Sequence, residues 1–400
     1  MHKQYLIQIF LHFLKLGCLS FGGPAAHLVF FRQHFVQQLH WLTDTEYAQL
    51  VALAQLLPGP TSSQVGIAIG YQLKGHSGAC AAWLGFTLPS VLLMAVIGIL
   101  GQQYFNHISK ISLHSIQLIV FAVVTWAFWH MLRSFCSHIW QYLLMLLSTL
   151  FLYFVSWPFS QITVIVIAAL VGIYFASTSA SAATDTASKV AVKSKFTYLW
   201  LIAFLLPFIA FALFHQSSSI LSQTLFSFYH AASLVFGGGH IILPLLHQDF
   251  VDTQVLSAEQ FDLGYALAQL MPGPLFSFAS YLGALLPLTP FVWLNVVLAT
   301  LAIFLPSFFL VFATLPYWSW LMHQPTIRNA IVGINAAVVS LLFCLVIQMG
   351  QSYFKHWSDL IFIAIIILLL QTKLPIWFSL LFSFILYQLC FYFMSAYFIS

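Results

Sequence analysis

A chain of 400 residues, 62% hydrophobic and 5% charged, with a mean hydropathy of +0.97, lacks the polar faces of a soluble domain, where about 25% of residues are charged. Its net charge of +4 is small and dispersed, which excludes a nucleic-acid surface; its five cysteines (Cys18, Cys80, Cys136, Cys344, Cys390) are scattered without CxxC spacing, which excludes a disulfide framework and a zinc site. Apolar runs of roughly 20 residues recur from end to end, so the chain reads as an all-α polytopic membrane protein set in a lipid bilayer, with no cofactor or metal expected.

The N-terminus, MHKQYLIQIFLHFLKLGCLSFGG, has a basic start and an apolar run but no A-x-A-like cleavage site. It reads as a first helix and not as a signal peptide. Apolar segments follow at roughly 4–22, 47–73, 76–100, 112–133, 137–155 and 158–176. Ser177 to Lys195 is small, polar and basic, so 177–197 reads as a cytoplasmic linker. An extra apolar segment occupies roughly 198–214, within a unit 198–215, and further ones lie at roughly 219–236, 258–286, 291–316, 328–350, 357–371 and 374–398.

The units 1–176 and 216–400 align as repeats. FGGPAAHLVFFRQHFV, from Phe21, lies over FGGGHIILPLLHQDFV, from Phe236, without a gap. After the loss of one residue, ALAQLLPGP (Ala52 to Pro60) matches ALAQLMPGP (Ala266 to Pro274) at all but one position. FTLPS (Phe86 to Ser90) matches IFLPS (Ile303 to Ser307), and Val123 and Val124 match Val338 and Val339. The extra segment would turn the second repeat upside down, giving about 13 spans as two inverted repeats, an architecture of secondary transporters. With the N-terminus inside, Lys3, Lys74, Arg133, Lys189, Lys193, Lys195, Arg328 and Lys373 fall on the cytoplasmic side, whereas Arg32, Lys110 and Lys355 fall outside. This bias favours a cytoplasmic N-terminus and an external C-terminus. Whether 24–40 and 237–252 cross, re-enter or lie at the surface is not readable, and a homodimer is left open.

Pro58-Gly59-Pro60 should end a helix at Leu57 and let a new one begin at Thr61 or Ser62; Pro272-Gly273-Pro274 should do the same. A broken span exposes a helix N-terminus at membrane depth, where unpaired N–H groups attract anions. Thr61, Ser62 and Ser63 add hydroxyls after the first break; Leu275 and Phe276 remove two after the second, leaving Ser277. Gly22-Gly23 and Gly237-Gly238-Gly239 could converge N–H groups on an oxyanion, or simply permit close helix packing. Lys15, inside the first span, aligns with His230, and Arg32 aligns with His247. These four could neutralise a dianion, with the histidines titratable. Against this, Lys15 could snorkel, and Arg32 and His247 could be ordinary interfacial residues.

Gln55 and Gln269 could offer amides to a substrate or bond carbonyls freed by the break. His27 aligns with Ile242, so symmetry gives it no support. Asn335 reads as a helix–helix hydrogen bond before a pathway group. Asp44 and Glu46, and Glu259 and Asp262, read as helix-start acids without function.

SFGGPAAHLVFFRQHFV, HWLTDTEYAQLVALAQLLPGP and GHSGACAAWLGFTLPS together resemble the chromate ion transporter family in its two-repeat form. The resemblance covers most of the chain apart from the linker and the last two spans of each half. It implies export of chromate, a tetrahedral oxyanion similar to sulfate, across the bacterial inner membrane. The family's basic and Gly-rich positions match Lys15, Gly22, Gly23, His27, Arg32, Pro58, Gly59 and Pro60. The chain departs from the family at His34, where members often carry an acid (Asp249 holds that place in the second repeat), and at His230 and His247, where they often carry a basic residue. The implied mechanism is alternating access around a midplane site. Rival readings are a carrier of sulfate or another oxyanion, working outward or inward; a passive channel or scaffold; and an intramembrane protease, since Gly75-His76-Ser77-Gly78 fits a GxSG pattern.

Overall fold

A computed structural model describes residues 5–155, 157, 159–176, 197–214, 219–322, 324–372 and 374–398. Residues 177–196 of the expected linker lie outside the described residues, as do Lys3, Lys189, Lys193, Lys195 and Lys373. Among the described residues every regular element is helical, one of the two arrangements, with closed barrels, that satisfy a backbone without water.

The first half runs α1 (Leu6–Leu19), α2 (Gly23–Phe31) with a π-helical continuation (Arg32–Gln38), α3 (Asp44–Leu56), α4 (Thr61–Tyr104), α5 (Lys110–Phe135), α6 (Ile139–Phe154) and α7 (Ser160–Phe175). After α8 (Thr197–Phe214), the second half runs α9 (Ile220–Leu234), α10 (Ile242–Phe250), α11 (Ala258–Leu270), α12 (Phe278–Leu285), α13 (Val292–Thr314), the short α14 (Trp318–Met322), α15 (Pro325–Tyr353), α16 (Trp357–Leu370) and α17 (Ile376–Phe398). By length and composition, α4, α5, α8, α13 and α15 suffice to cross a membrane.

The expected span 47–73 is two helices. A capping box starts α3: the Thr43 side chain accepts from Glu46 N–H, while Thr43 N–H donates to Glu46 Oε2 at 2.8 Å. The helix stops at Leu56, and α4 begins at Thr61, directly after the PGP. In the second half Ser257 and Gln260 form the matching capping box of α11, which stops at Leu270. A 3₁₀ turn (Leu275–Ser277) then leads into α12.

Helix α4 is not a straight rod. Lys74 (φ −148°, ψ 25°) and Gly75 (φ 63°, ψ −150°) leave helical geometry. A methyl placed on Gly70 would lie 2.3 Å from the Gly78 carbonyl oxygen, whereas eight residues of straight helix span about 12 Å. The chain therefore doubles back here, and the expected boundary between 73 and 76 is a tight hairpin. The stretch 24–40, unreadable from sequence, is mostly helical.

Small residues let the long helices touch backbone to backbone. A methyl on Gly17 of α1 would lie 2.5 Å from Phe86 O, and one on Gly85 2.4 Å from Phe10 O. Helices α7 and α15 meet the same way at Gly172 and Gly333, where a methyl on Gly333 would lie 2.1 Å from Ala168 O. Gly333→Leu must separate these helices, at a cost of at least about 1–3 kcal/mol. A clear drop in the melting temperature of the detergent-purified protein is the expected result.

Candidate functional site at the crossing of the two PGP loops

Each PGP loop is held by the opposite repeat. Gly59 N–H donates to Val235 O, just past α9, at 2.7 Å, and Gly273 N–H donates to Ser20 O, just past α1, at 3.0 Å. Val235 and Ser20 are equivalent positions of the two repeats. The serines of the LPS motifs repeat the exchange: a methyl on Gly59 would lie 2.8 Å from Ser307 Oγ, and one on Gly273 2.9 Å from Ser90 Oγ. Pro24 and Gly239, also equivalent, face one another, with Pro24 Cγ 3.7 Å from a methyl built on Gly239. The FGG and PGP motifs of both halves thus converge on one quasi-two-fold crossing. Glycine is required at the two loop centres because φ is +125° at Gly59 and +95° at Gly273.

The first-repeat side of the crossing is polar. His27, 1% exposed, sets Nε2 3.2 Å from Ser20 O and Nδ1 3.2 Å from Ser62 Oγ. A carbonyl can only accept, so Nε2 carries the proton and Nδ1 of the neutral ring accepts from the Ser62 hydroxyl. Gln64 Nε2 donates to Pro58 O at 2.6 Å, which fixes the amide and leaves Oε1 buried without a partner. The hydroxyls of Ser20, Ser63, Thr87 and Ser307 are likewise buried and unpaired. Each such group costs about 1–3 kcal/mol unless something polar meets it. The first intrahelical bond of α4 runs from Gln64 N–H to Pro60 O at 3.0 Å, so the N–H groups of Thr61, Ser62 and Ser63 belong to the turn that has no intrahelical acceptor.

The second-repeat side is drier. Leu275 and Phe276 are buried where the first repeat has hydroxyls, and Ser277 accepts at its carbonyl from Ser280 Oγ at 2.6 Å. Gln269 does not bond a freed carbonyl; its Nε2 lies 3.4 Å from Nδ1 of His240, which is also 2.8 Å from Tyr265 Oη. Gln55 is exposed. Gly22 and Gly23 link α1 to α2, and Gly237 and Gly238 lead from α9 toward α10. Asn335 leaves Oδ1 buried and unpaired, 3.5 Å from a methyl built on Gly237.

The four aligned basic positions are not gathered here. Lys15 is on the exposed face of α1, near His12, whose Nδ1 meets His34 Nε2 at 3.0 Å. Arg32 is exposed and pairs with Asp44 at 2.8 Å. His230 lines a cavity of about 430 Å³ with Gln161, Phe208, Phe226, Ser227 and Asp249. His247 is buried and faces Asp252, with Nδ1 to Oδ1 at 3.1 Å. The pairing of equivalent positions nevertheless persists: His12 meets His34 in the first repeat, and Ser227 bonds Asp249 in the second.

Sequence reasoning missed Ser20, Gln64, Ser90 and Ser307 as site residues. The LPS pair was a visible signal for the last two; nothing local marked the first two. Symmetry gives His27 no support although the family resemblance names it, and its ring bridges Ser20 and Ser62 at the crossing. One acid also needs correction: Asp262 is not a helix-start residue. The capping box belongs to Ser257 and Gln260, and Asp262, further along α11, is fully buried.

The profile of the chromate transporter family matches residues 7–173 and 222–388, one match for each half of this crossing. The chain belongs to the chromate transporter family. Among curated relatives of this family member, an uncharacterised transporter of Methanocaldococcus jannaschii is 27% identical over 370 residues, covering 92% of this chain and 90% of that protein. A probable chromate transport protein of Synechococcus elongatus is 26% identical over 354 residues, covering 88% and 86%. A chromate transport protein of Pseudomonas aeruginosa is 26% identical over 353 residues, covering 86% and 81%. No solved structure matches the chain. Ser77 Oγ donates to Lys74 O at 3.1 Å within the hairpin, while His76 packs among Tyr71, Trp200 and Phe312.

Proposed function

We propose that this protein is a secondary transporter that exports chromate across a bacterial inner membrane by alternating access, with the oxyanion held at the crossing. The observation that carries this reading is the reciprocal pair of bonds, Gly59 to Val235 and Gly273 to Ser20, around buried hydroxyls that lack partners. A tetrahedral oxyanion needs donors on several sides. The first turn of α4, Ser20, Ser63 and Ser307 offer them from both halves, so the anion joins two bodies that move relative to one another. Gly22, Gly23, Gln55, Pro58, Pro60, Thr61, Ser62, Gly237, Gly238, Gly239, Gln269, Pro272, Pro274 and Ser277 shape or border this site. Lys15 and Arg32 act outside the contact shell, drawing the anion in by their field, while His230 and His247 take no part in holding it.

The donors are neutral, and sulfate has the same shape and charge as chromate. A sulfate carrier is therefore the second reading, supported by the same hydroxyls. Purified protein in liposomes, given radiolabelled chromate or sulfate on one side, separates the two. Saturable chromate flux that sulfate inhibits only weakly is expected. Flux that rises linearly with concentration, or none for either anion, would overturn the transporter reading.

A further inference from the structure

The second repeat buries an acid that the oxyanion site does not use. Asp262 is 0% exposed, on the helix that ends at the second PGP. Its Oδ2 accepts from the Tyr353 hydroxyl of α15 at 2.5 Å, while Oδ1 has no hydrogen-bond partner. An ionised carboxylate with an unsatisfied oxygen is far costlier inside a membrane than its neutral form. A proton on Oδ1 removes that charge.

The ring of His247 of α10 stands edge-on to that of Phe261, the residue before Asp262, with centroids 5.5 Å apart. On its other side, His247 Nδ1 is at ion-pair distance, 3.1 Å, from Asp252 Oδ1, though not aligned for a hydrogen bond. The Asp252 side chain is 40% exposed. A partly exposed Asp252 thus adjoins the buried His247, which packs against the sequence neighbour of Asp262. The other titratable groups around Asp262 are Tyr353 from α15, Tyr281 from α12 and Glu259 on α11 itself. None is Lys or Arg, so no fixed cation holds the carboxylate ionised.

The first repeat has no counterpart. Ala48 stands where the second has Asp262, Gln37 where it has Asp252, and Arg32 where it has His247. Arg32 stays in its exposed pair with Asp44. The relay is thus specific to one half and sits on the helix whose loop is tethered to Ser20.

We propose that Asp262 binds and releases the coupling proton of this transporter, exchanging it with water through His247 and Asp252. The proposal rests on the transport reading above. In that exchange the His247 imidazole takes one proton from the Asp252 side and gives one up toward Asp262 Oδ1; release runs the reverse path. One proton moves, no covalent bond between heavy atoms changes, and no electron is transferred. Protonation removes a charge from α11 and so alters the balance between the conformations that the PGP tethers hold.

The test uses liposomes carrying the full-length protein and an internal pH-sensitive dye, with chromate as the probe. Asp262→Asn keeps an acceptor for Tyr353 and mimics the protonated state. It is expected to keep exchange of labelled for unlabelled chromate within about twofold, while proton movement and pH-driven accumulation fall at least about tenfold. His247→Gln should slow proton movement and spare exchange. Tyr353→Phe removes the donor that steadies the ionised form and should shift the pH midpoint of flux upward. Wild-type coupling in Asp262→Asn overturns the proposal, as does saturable wild-type flux without proton movement; the latter leaves the transport reading intact. Absence of any saturable flux overturns the transport reading instead. Infrared difference spectra then decide the proton site alone: it requires a titrating carboxyl band that Asp262→Asn abolishes, and it falls if no such band exists.

Discussion

Alanine at Gly59 is expected to lower saturable oxyanion flux at least about tenfold while leaving the protein folded in the membrane. A non-glycine residue at φ +125° is strained by about 1–3 kcal/mol. The added methyl would also lie 2.6 Å from Gln64 Nε2 and 2.8 Å from Ser307 Oγ. Both are ends of side chains and can retreat, so the fold survives. The retreat, however, pulls Gln64 off Pro58 O and moves Ser307 away from the crossing. A loss of about 1.4 kcal/mol at the rate-limiting step already gives a tenfold effect. Gly101→Ala is the control, because a methyl there meets only Leu285 Cδ2 at 4.0 Å. Flux in liposomes and melting temperature, measured together, check the result. Equal flux loss in Gly59→Ala and Gly101→Ala would remove the crossing from the mechanism.

Ser63→Ala and Ser307→Ala are expected to raise the KM for chromate by about ten- to a hundredfold each. Hydrogen bonds to charged groups contribute about 1.5–3 kcal/mol, and each 1.4 kcal/mol is tenfold in affinity. Both hydroxyls are buried and lack a protein partner. Removing them therefore costs the empty protein nothing by this route and could stabilise it slightly. The diagnostic pattern is a raised KM with an unchanged or higher melting temperature, the reverse of ordinary core damage. The two serines come from opposite halves, Ser63 from α4 and Ser307 from α13. If they hold one anion, the double variant should fall short of the product of the single effects. Unchanged KM in both single variants would show that the anion binds elsewhere.

The sequence made the breaks legible because proline and glycine act locally. The helix end just before Pro58 and the new start at Thr61 are consequences of a missing N–H and a ring clash, and need no tertiary context. The duplicated motifs were equally legible. What they meet was not. That Gly59 bonds Val235, far along the chain, depends on how two repeats pack, and periodicity carries no such information. Symmetry gave His27 no support, because the crossing uses that ring on one side only; the family resemblance, not the repeat, pointed to it. Asp262 was misjudged for a related reason: an acid early in a helix usually faces solvent, and only tertiary packing places it at 0% exposure against Tyr353.

The crosswise bonds have a bearing on ancestry. A hydrogen bond is indifferent to whether its partners share a backbone. Two identical half-length chains, inserted in opposite orientations, could form the same contacts: the glycine of each PGP would reach the carbonyl beyond the first helix of its twin, and the reverse. That is an isologous interface, self-complementary about a two-fold axis. Joining such twins through one added helix, as α8 joins the halves here, turns a contact between subunits into an internal seam. Once joined, the halves are released from identity: one could keep three hydroxyls after its PGP while the other gave up two of them and acquired a buried acid.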